Sequence, residues 1–196
     1  TGIATLLRAN TREFKPRVAQ ETLDQDNTEK AGAIARMLES VCLAFGAKAR
    51  LLAMNSHWIG GDDRLFNRLV ERNFTDKNLV ETERKYLTLT EVIESLSSSE
   101  SAVAMRYHGH LFCMALGVPF LSIDYTGKKG KVSNLLRRIG YEERSEQWGE
   151  LDEKGAAGKL AALIESRKEI SRGLIKRSDE LADGLTSVYS SLFPRP

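Results

Sequence analysis

The fold of this chain is decided by residues 103–125, VAMRYHGHLFCMALGVPFLSIDY. Small and apolar residues over 101–107 predict a buried strand, and apolar residues over 110–116 recur at helical spacing. Gly117 follows, where glycine commonly ends a helix, and 118–125 is the most apolar strand candidate. A strand, a helix and a second strand in this order predict two parallel strands joined by a right-handed crossover.

The same alternation extends towards the N-terminus. Residues 3–7 predict a first strand, 28–45 a helix that ends at Gly46, and 49–54 a second strand. Asp62 is expected to cap a helix whose buried stripe consists of Leu65, Phe66, Leu69 and Val70. A weak third strand at 79–81 precedes a short helix that begins with a capping box of Thr88 and Glu91.

Towards the C-terminus the pattern becomes helical. Residues 131–139 predict a helix closed by Gly140, and 160–192 predict either one long helix or two broken ones. The whole pattern indicates an α/β fold with a doubly wound, Rossmann-like parallel sheet. We expect one domain over 1–196, with its core at about 1–141 and terminal helices at about 155–193.

Composition restricts the class of protein. The chain is 41% hydrophobic and 29% charged, with a formal net charge of +2, so we expect a globular domain that does not bind nucleic acid. Cys42 and Cys113 lie in apolar periodic runs, which predicts buried thiols in a reducing, cytoplasmic setting. No apolar run is long enough to span a bilayer. Because the chain begins at Thr1 and enters a strand almost at once, we expect a fragment, an excised domain or a processed chain.

A binding crevice is expected where the strand order reverses. In the common order 3-2-1-4-5 that point lies between the carboxyl ends of the first and fourth strands. Arg8 closes the first of these strands, and Arg106 and His108 close the fourth. Two residues apart on an extended backbone, Arg106 and His108 should point to the same side of the sheet.

These residue types favour a small, strongly negative ligand. Guanidinium groups bind carboxylate and phosphate alike, and a helix that starts after Gly109 would add backbone N–H donors. His108 has the chemistry of a general acid near neutral pH, and a hydrogen-bonded structural role is the alternative. The alternative for Arg106 is an ion pair with an acid at the sheet edge.

Other polar residues nearby are weaker candidates. His110 is expected to be structural or helix-capping, and His57 follows the second strand and ranks below His108. Asp62 and Asp63 are interpreted as a helix cap. Glu142 and Glu150 have the spacing of paired catalytic glutamates, which we attribute to chance. The pattern contains no nucleotide-binding glycine motif and no clustered metal ligands, so neither a metal nor a cofactor is expected.

Residues 103–125 also resemble the signature of the polysaccharide pyruvyl transferase family. That signature is an apolar strand, Arg-x-His, a small-residue helix, Gly-x-Pro, a second apolar strand, and a tyrosine with a lysine downstream. Leu6-Leu7-Arg8 resembles the strand that enters the family's second domain. The resemblance implies the C-terminal half of a GT-B-type architecture, with the family's N-terminal domain absent from this chain.

The resemblance also implies a reaction and its residues. Phosphoenolpyruvate would be the donor substrate, and a saccharide or lipid-linked saccharide would accept the pyruvyl group as a ketal. Arg8 and Arg106 would bind the phosphate and carboxylate, and His108 would supply the proton. The tyrosine-then-lysine part of the signature implies Tyr125 with Lys128 or Lys131, and the neighbouring Lys129 makes that alignment ambiguous. A lipid-linked acceptor would bring the protein to a membrane surface.

Two other functions remain open at this point. One is a nucleotide-sugar-binding half of a GT-B glycosyltransferase. The other is a noncatalytic Rossmann-like module that holds a partner through its C-terminal helices, on the face that runs from Leu174 to Leu192.

Overall fold

Six strands form one parallel sheet. A computed structural model describes residues 2–8, 17–55, 62–85, 87–127 and 129–192, with side chains of the first helix described from residue 25. The strands are β1 (Gly2–Leu6), β2 (Lys48–Leu52), β3 (Val80–Thr82), β4 (Ser101–Ala104), β5 (Phe120–Asp124) and β6 (Ser145–Gln147). Their order is β3-β2-β1-β4-β5-β6, and every neighbouring pair is parallel. This order confirms the predicted doubly wound sheet, with the reversal between β1 and β4.

Helices cover the sheet. They are α1 (Arg17–Phe45), α2 (Asp63–Asn73), α3 (Leu89–Ser97), α4 (Tyr107–Ala115), α5 (Lys131–Ile139), α6 (Glu153–Glu165) and α7 (Arg167–Leu192). α1 packs against α2 and α6, while α4 packs against α3 and α7. Right-handed crossovers put these two groups on opposite faces of the sheet. The central strands β4 and β5 are therefore buried at every residue.

Several predicted helix ends are confirmed. The Asp62 side chain accepts a hydrogen bond from the Arg64 backbone N–H and caps α2. Thr88 and Glu91 form the expected capping box at the start of α3. Gly140 ends α5 with a φ of 65°, a left-handed conformation that glycine adopts without steric cost.

Some element boundaries and one buried position were predicted wrongly. α1 begins at Arg17 instead of residue 28, although few apolar residues mark its first turns. Leu65 was expected in the buried stripe of α2 but is 60% exposed, because the buried face of that helix is formed instead by Asp63, Phe66, Asn67 and Val70.

The end of the fourth strand also differs from the prediction. β4 stops at Ala104 and α4 starts at Tyr107, whereas the sequence predicted a strand through Tyr107 and a helix from His110. The His110 backbone N–H donates to the Arg106 carbonyl at 3.2 Å, which closes the first helical turn at that point. Arg106 is therefore a helix-capping position and not a strand residue.

The C-terminal third contains one element that the sequence did not reveal. β6 has three polar residues inside a charged stretch, and it pairs only with β5 among the described strands. After β6, the predicted alternative of two helices is confirmed, since α6 ends just before Ser166 and α7 begins just after it. None of the described helices combines the length and the apolar character that a membrane span requires.

Both cysteines lie in the hydrophobic core and neither forms a disulfide, as predicted. Burial raises the pKa of Cys42 to about 11 and that of Cys113 to about 12. Both thiols therefore stay protonated near neutral pH and act as small apolar side chains.

Candidate functional site

A cavity of about 460 Å³ opens at the carboxyl ends of β1, β2 and β4. It is lined by Arg8, Ala53, Met54, Asn55, Leu87, Leu89, Val92, Arg106, His108 and Phe112. The structure thus brings Arg8, Arg106 and His108 to one place, at the reversal of strand order where the sequence analysis located a crevice.

Arg8 is fixed from one side by Tyr125. The Arg8 Nη1 donates a hydrogen bond of 2.9 Å to the Tyr125 hydroxyl, and its guanidinium carbon lies 4.6 Å from the centroid of the same ring. The Arg8 Nε is buried and has no hydrogen-bond partner in the described part of the chain. A buried donor without an acceptor carries a cost in free energy.

Arg106 forms a bidentate ion pair with Asp63. Its Nε donates to Asp63 Oδ2 at 3.1 Å, and its Nη2 donates to Asp63 Oδ1. The Arg106 side chain is 15% exposed and that of Asp63 is 1% exposed. The alternative in which Arg106 pairs with an acid at the sheet edge is therefore realised, and the guanidinium nevertheless lines the cavity.

Asp63 does more than the helix cap that the sequence suggested. Asp62 caps α2, and Asp63 turns inward, where Oδ2 accepts backbone N–H bonds from Met54 at 3.2 Å and Asn55 at 2.9 Å. Burial raises the pKa of the Asp63 carboxyl, and the Arg106 guanidinium acts in the opposite direction. Sequence reasoning missed this role, although two adjacent aspartates where one suffices as a cap were a usable signal.

His108 is exposed at the rim of the cavity, in the first turn of α4. The prediction that Arg106 and His108 project from one face of a strand was wrong, because the helix begins between them. They reach the same cavity from a helix start instead. The Arg106 side chain makes no capping hydrogen bond to the first turn of α4.

His110 is a buried structural residue, in agreement with its predicted role. Its Nδ1 lies 2.8 Å from the Arg106 carbonyl oxygen and its Nε2 lies 2.8 Å from Ser122 Oγ. A carbonyl only accepts, so Nδ1 carries the proton and Nε2 accepts from the Ser122 hydroxyl. Burial lowers the pKa of His110 to about 4, which keeps the ring neutral.

The remaining basic and aromatic candidates lie outside the cavity lining or outside the described residues. Tyr125 contacts Arg8 as described above. Lys131 lies at the start of α5 with its Nζ 5.3 Å from the centroid of the Tyr107 ring, and it is not among the residues that line the cavity. Lys129 is exposed. Lys128 and His57 lie outside the described residues.

The acidic candidates do not form a site. Glu142 and Glu150 are both exposed and flank opposite ends of β6, which fits the interpretation of their spacing as chance. In the described part of the chain, no three His, Cys, Asp or Glu side chains are grouped as metal ligands would be.

One part of the cavity lining is apolar. It is formed by Leu87, Leu89, Val92 and Phe112, and Leu89 is 59% exposed. Sequence reasoning missed this wall, because these residues come from a loop and two helices whose helical periodicity did not distinguish core from cavity. The cavity therefore offers both cationic and apolar side chains to one ligand.

The sequence was also compared with known proteins. The family model of the polysaccharide pyruvyl transferases matches residues 13–127, which is more than half of the chain. The chain belongs to the polysaccharide pyruvyl transferase family. This confirms the resemblance seen in residues 103–125. The matched segment includes Asp63, Arg106 and His108, whereas Arg8 precedes it and Lys128 and Lys131 follow it.

A solved structure supports the fold of this family member. The chain is similar to a mutant O-GlcNAc transferase from Thermobaculum terrenum, with a TM-score of 0.53 and 15% sequence identity. The match covers 94% of this chain and 35% of the other chain, so this chain spans only about a third of the length of that protein. At this identity the likeness concerns the fold alone, and it agrees with the expected GT-B-type half. No curated protein matches the chain in sequence.

Proposed function

We propose that this chain carries the donor site of an enzyme that transfers the pyruvyl group of phosphoenolpyruvate to saccharide hydroxyls as a ketal. The observation that carries the proposal is the convergence of Arg8, Arg106 and His108 on one cavity at the carboxyl edge of the sheet. Family membership supports the transferase class, and the donor and the ketal chemistry belong to the proposal.

The two guanidinium groups suit the two anionic groups of this donor. Arg8 and Arg106 both line the cavity, and Arg106 is oriented by Asp63, so one guanidinium can take the phosphate and the other the carboxylate. The start of α4 adds backbone N–H donors beside Arg106. Tyr125 holds Arg8 in place, and Lys128 or Lys131 would complete the site as the family signature implies.

The chemistry then needs one proton and two hydroxyls. His108 protonates the methylene carbon of phosphoenolpyruvate, which makes the central carbon electrophilic. A first sugar hydroxyl adds to that carbon and gives its proton back to His108. A second hydroxyl on the same sugar displaces phosphate from the carbon, closes the ketal, and releases its own proton. The exposed position of His108 at the rim lets it contact both donor and acceptor. The scheme uses phosphoenolpyruvate as a substrate and calls for no cofactor.

A saccharide or lipid-linked saccharide is the expected acceptor, and a further domain would supply much of its binding surface. A lipid-linked acceptor would place the reaction at the cytoplasmic side of a membrane surface without a membrane-spanning segment in the described helices.

A second candidate is a nucleotide-sugar site. The apolar wall of Leu87, Leu89, Val92 and Phe112 favours it, since a base or ribose could pack there while Arg8 and Arg106 hold the phosphates. The fold likeness to a glycosyltransferase is compatible with either donor, since it concerns the fold alone.

Calorimetric titration with phosphoenolpyruvate and with a uridine diphosphate sugar separates the two candidates. We expect phosphoenolpyruvate to bind, and Arg106→Ala and His108→Ala to abolish transfer in an acceptor assay. Arg138→Ala, at an exposed position on α5, is the matched control and should leave transfer unchanged. Binding of the uridine nucleotide alone, or full turnover of His108→Ala, contradicts the proposal.

A further inference from the structure

We propose that Asp63 is a positioning residue of the anion site, which sets the orientation of the Arg106 guanidinium and thereby the affinity for the donor anion. The inference rests on the proposed function, because it concerns the same cavity. It adds a residue that neither the family signature nor the sequence analysis assigned to the site.

The contact between the two side chains is specific in geometry. Asp63 engages the Nε and Nη2 edge of the Arg106 guanidinium with both carboxylate oxygens, so the plane of the guanidinium is fixed as well as its position. With a side chain 1% exposed, Asp63 has no room to follow a displaced partner.

Asp63 is itself anchored to the neighbouring strand. Its Oδ2 accepts the N–H groups of Met54 and Asn55 just beyond β2, and its own backbone N–H donates to the Asn55 carbonyl at 2.9 Å. Since β1 lies between β2 and β4, the ion pair links the two strands that flank β1. Arg8 follows β1, so it lies between the two strands that the ion pair connects. Asp63 therefore sets the position of Arg106 relative to Arg8.

Asp63 has a second effect of opposite sign. Its negative charge lowers the positive potential of the cavity, so a purely electrostatic effect of Asp63 would weaken anion binding. Removal of the charge would then tighten anion binding. The bidentate geometry and the double backbone anchor favour positioning as the larger effect, because a misdirected guanidinium loses its hydrogen bonds to the ligand altogether.

The test is calorimetric titration of Asp63→Asn with inorganic phosphate and with phosphoenolpyruvate. We expect affinity to fall about tenfold, the effect of losing one charge-assisted hydrogen bond. Asp63→Glu keeps the charge but shifts the carboxylate by one methylene, and it should lose affinity as well. Tighter binding by Asp63→Asn, or unchanged binding by Asp63→Glu, overturns the proposal in favour of a charge effect.

A double-mutant cycle separates positioning from a general structural role. In an Arg106→Gln background, Asp63→Asn should cause no further loss of affinity, because its effect passes through Arg106. A further loss in that background overturns the proposal. Asp62→Ala is the control: it removes the cap of α2 and should lower the melting temperature without changing affinity. If the wild type binds neither anion, the proposed function fails and the positioning role is overturned with it. A wild type that binds normally confines any failure to the Asp63 variants.

Discussion

Acidification should destabilise this protein through His110. The ring is fully buried between the Arg106 carbonyl and Ser122 Oγ, and burial lowers its pKa from 6.5 to about 4. The folded state therefore favours the neutral ring. The contribution of the neutral ring to stability is complete above pH 6.5, which is the pKa of the histidine in the unfolded chain. As the pH falls from 6.5 to about 4, the unfolded chain takes up this proton first and stability is lost.

The size of the effect follows from the difference between the two pKa values. A change from 6.5 to about 4 corresponds to about 3 kcal/mol of unfolding free energy. That is a large share of the stability of a domain of this size, commonly about 5–15 kcal/mol. The ring has no exposed surface, so solvent does not screen the effect as it would for a surface group.

Urea unfolding of wild type and His110→Asn between pH 7 and pH 4 measures this directly. The asparagine amide can replace Nδ1–H as a donor to the Arg106 carbonyl and does not titrate. The free-energy difference between the two proteins should shrink by about 3 kcal/mol across this range, since the carboxylates they share cancel. His108→Asn, at an exposed position, is the control and should parallel the wild type. Parallel curves for wild type and His110→Asn would refute the reasoning.

Two further variants probe the packing around the site. Gly109→Ala would place a Cβ 2.9 Å from Leu6 Cδ1, so we expect unfolding free energy in urea to fall by about 1–3 kcal/mol; wild-type stability would show that the helix start has room to spare. Tyr125→Phe removes the hydroxyl that accepts from Arg8 Nη1 but keeps the ring beneath the guanidinium. It should weaken phosphoenolpyruvate binding about fivefold in titration, with an unchanged melting temperature; unchanged affinity would show that Tyr125 does not orient Arg8.

The sheet could be predicted because its buried strands are encoded by short runs of apolar residues. β4 and β5 are buried at every residue, and Gly140 and the Thr88–Glu91 box mark helix ends through short-range chemistry. β6 could not be predicted in the same way, since its three polar residues acquire strand geometry only from the open edge of β5. The start of α1 was missed for a similar reason, as its first turns lack the apolar spacing that identifies a helix.

The site, like the sheet, has features that local sequence predicts and features that depend on tertiary packing. The convergence of Arg8, Arg106 and His108 on one cavity could be predicted, because parallel strands end at one edge and strand order follows from crossover rules. The Asp63–Arg106 pair could not, because it joins residues 43 positions apart through the packing of α2, which no local pattern encodes. The apolar wall was missed for the same reason, since α3 and α4 contribute to it from different parts of the chain.

The segment Arg106–Tyr–His–Gly–His110 works as one unit, and its helical geometry explains the Arg-x-His spacing better than a strand would. On a strand, both side chains would face the same way and compete for the same space. With α4 starting at Tyr107, Arg106 turns towards Asp63, while His108 stays at the exposed rim. Gly109 lets the helix approach Leu6, and His110 ties the Arg106 carbonyl to β5. Each position thus constrains its neighbour, and a guanidinium and an imidazole reach one cavity from within three consecutive residues.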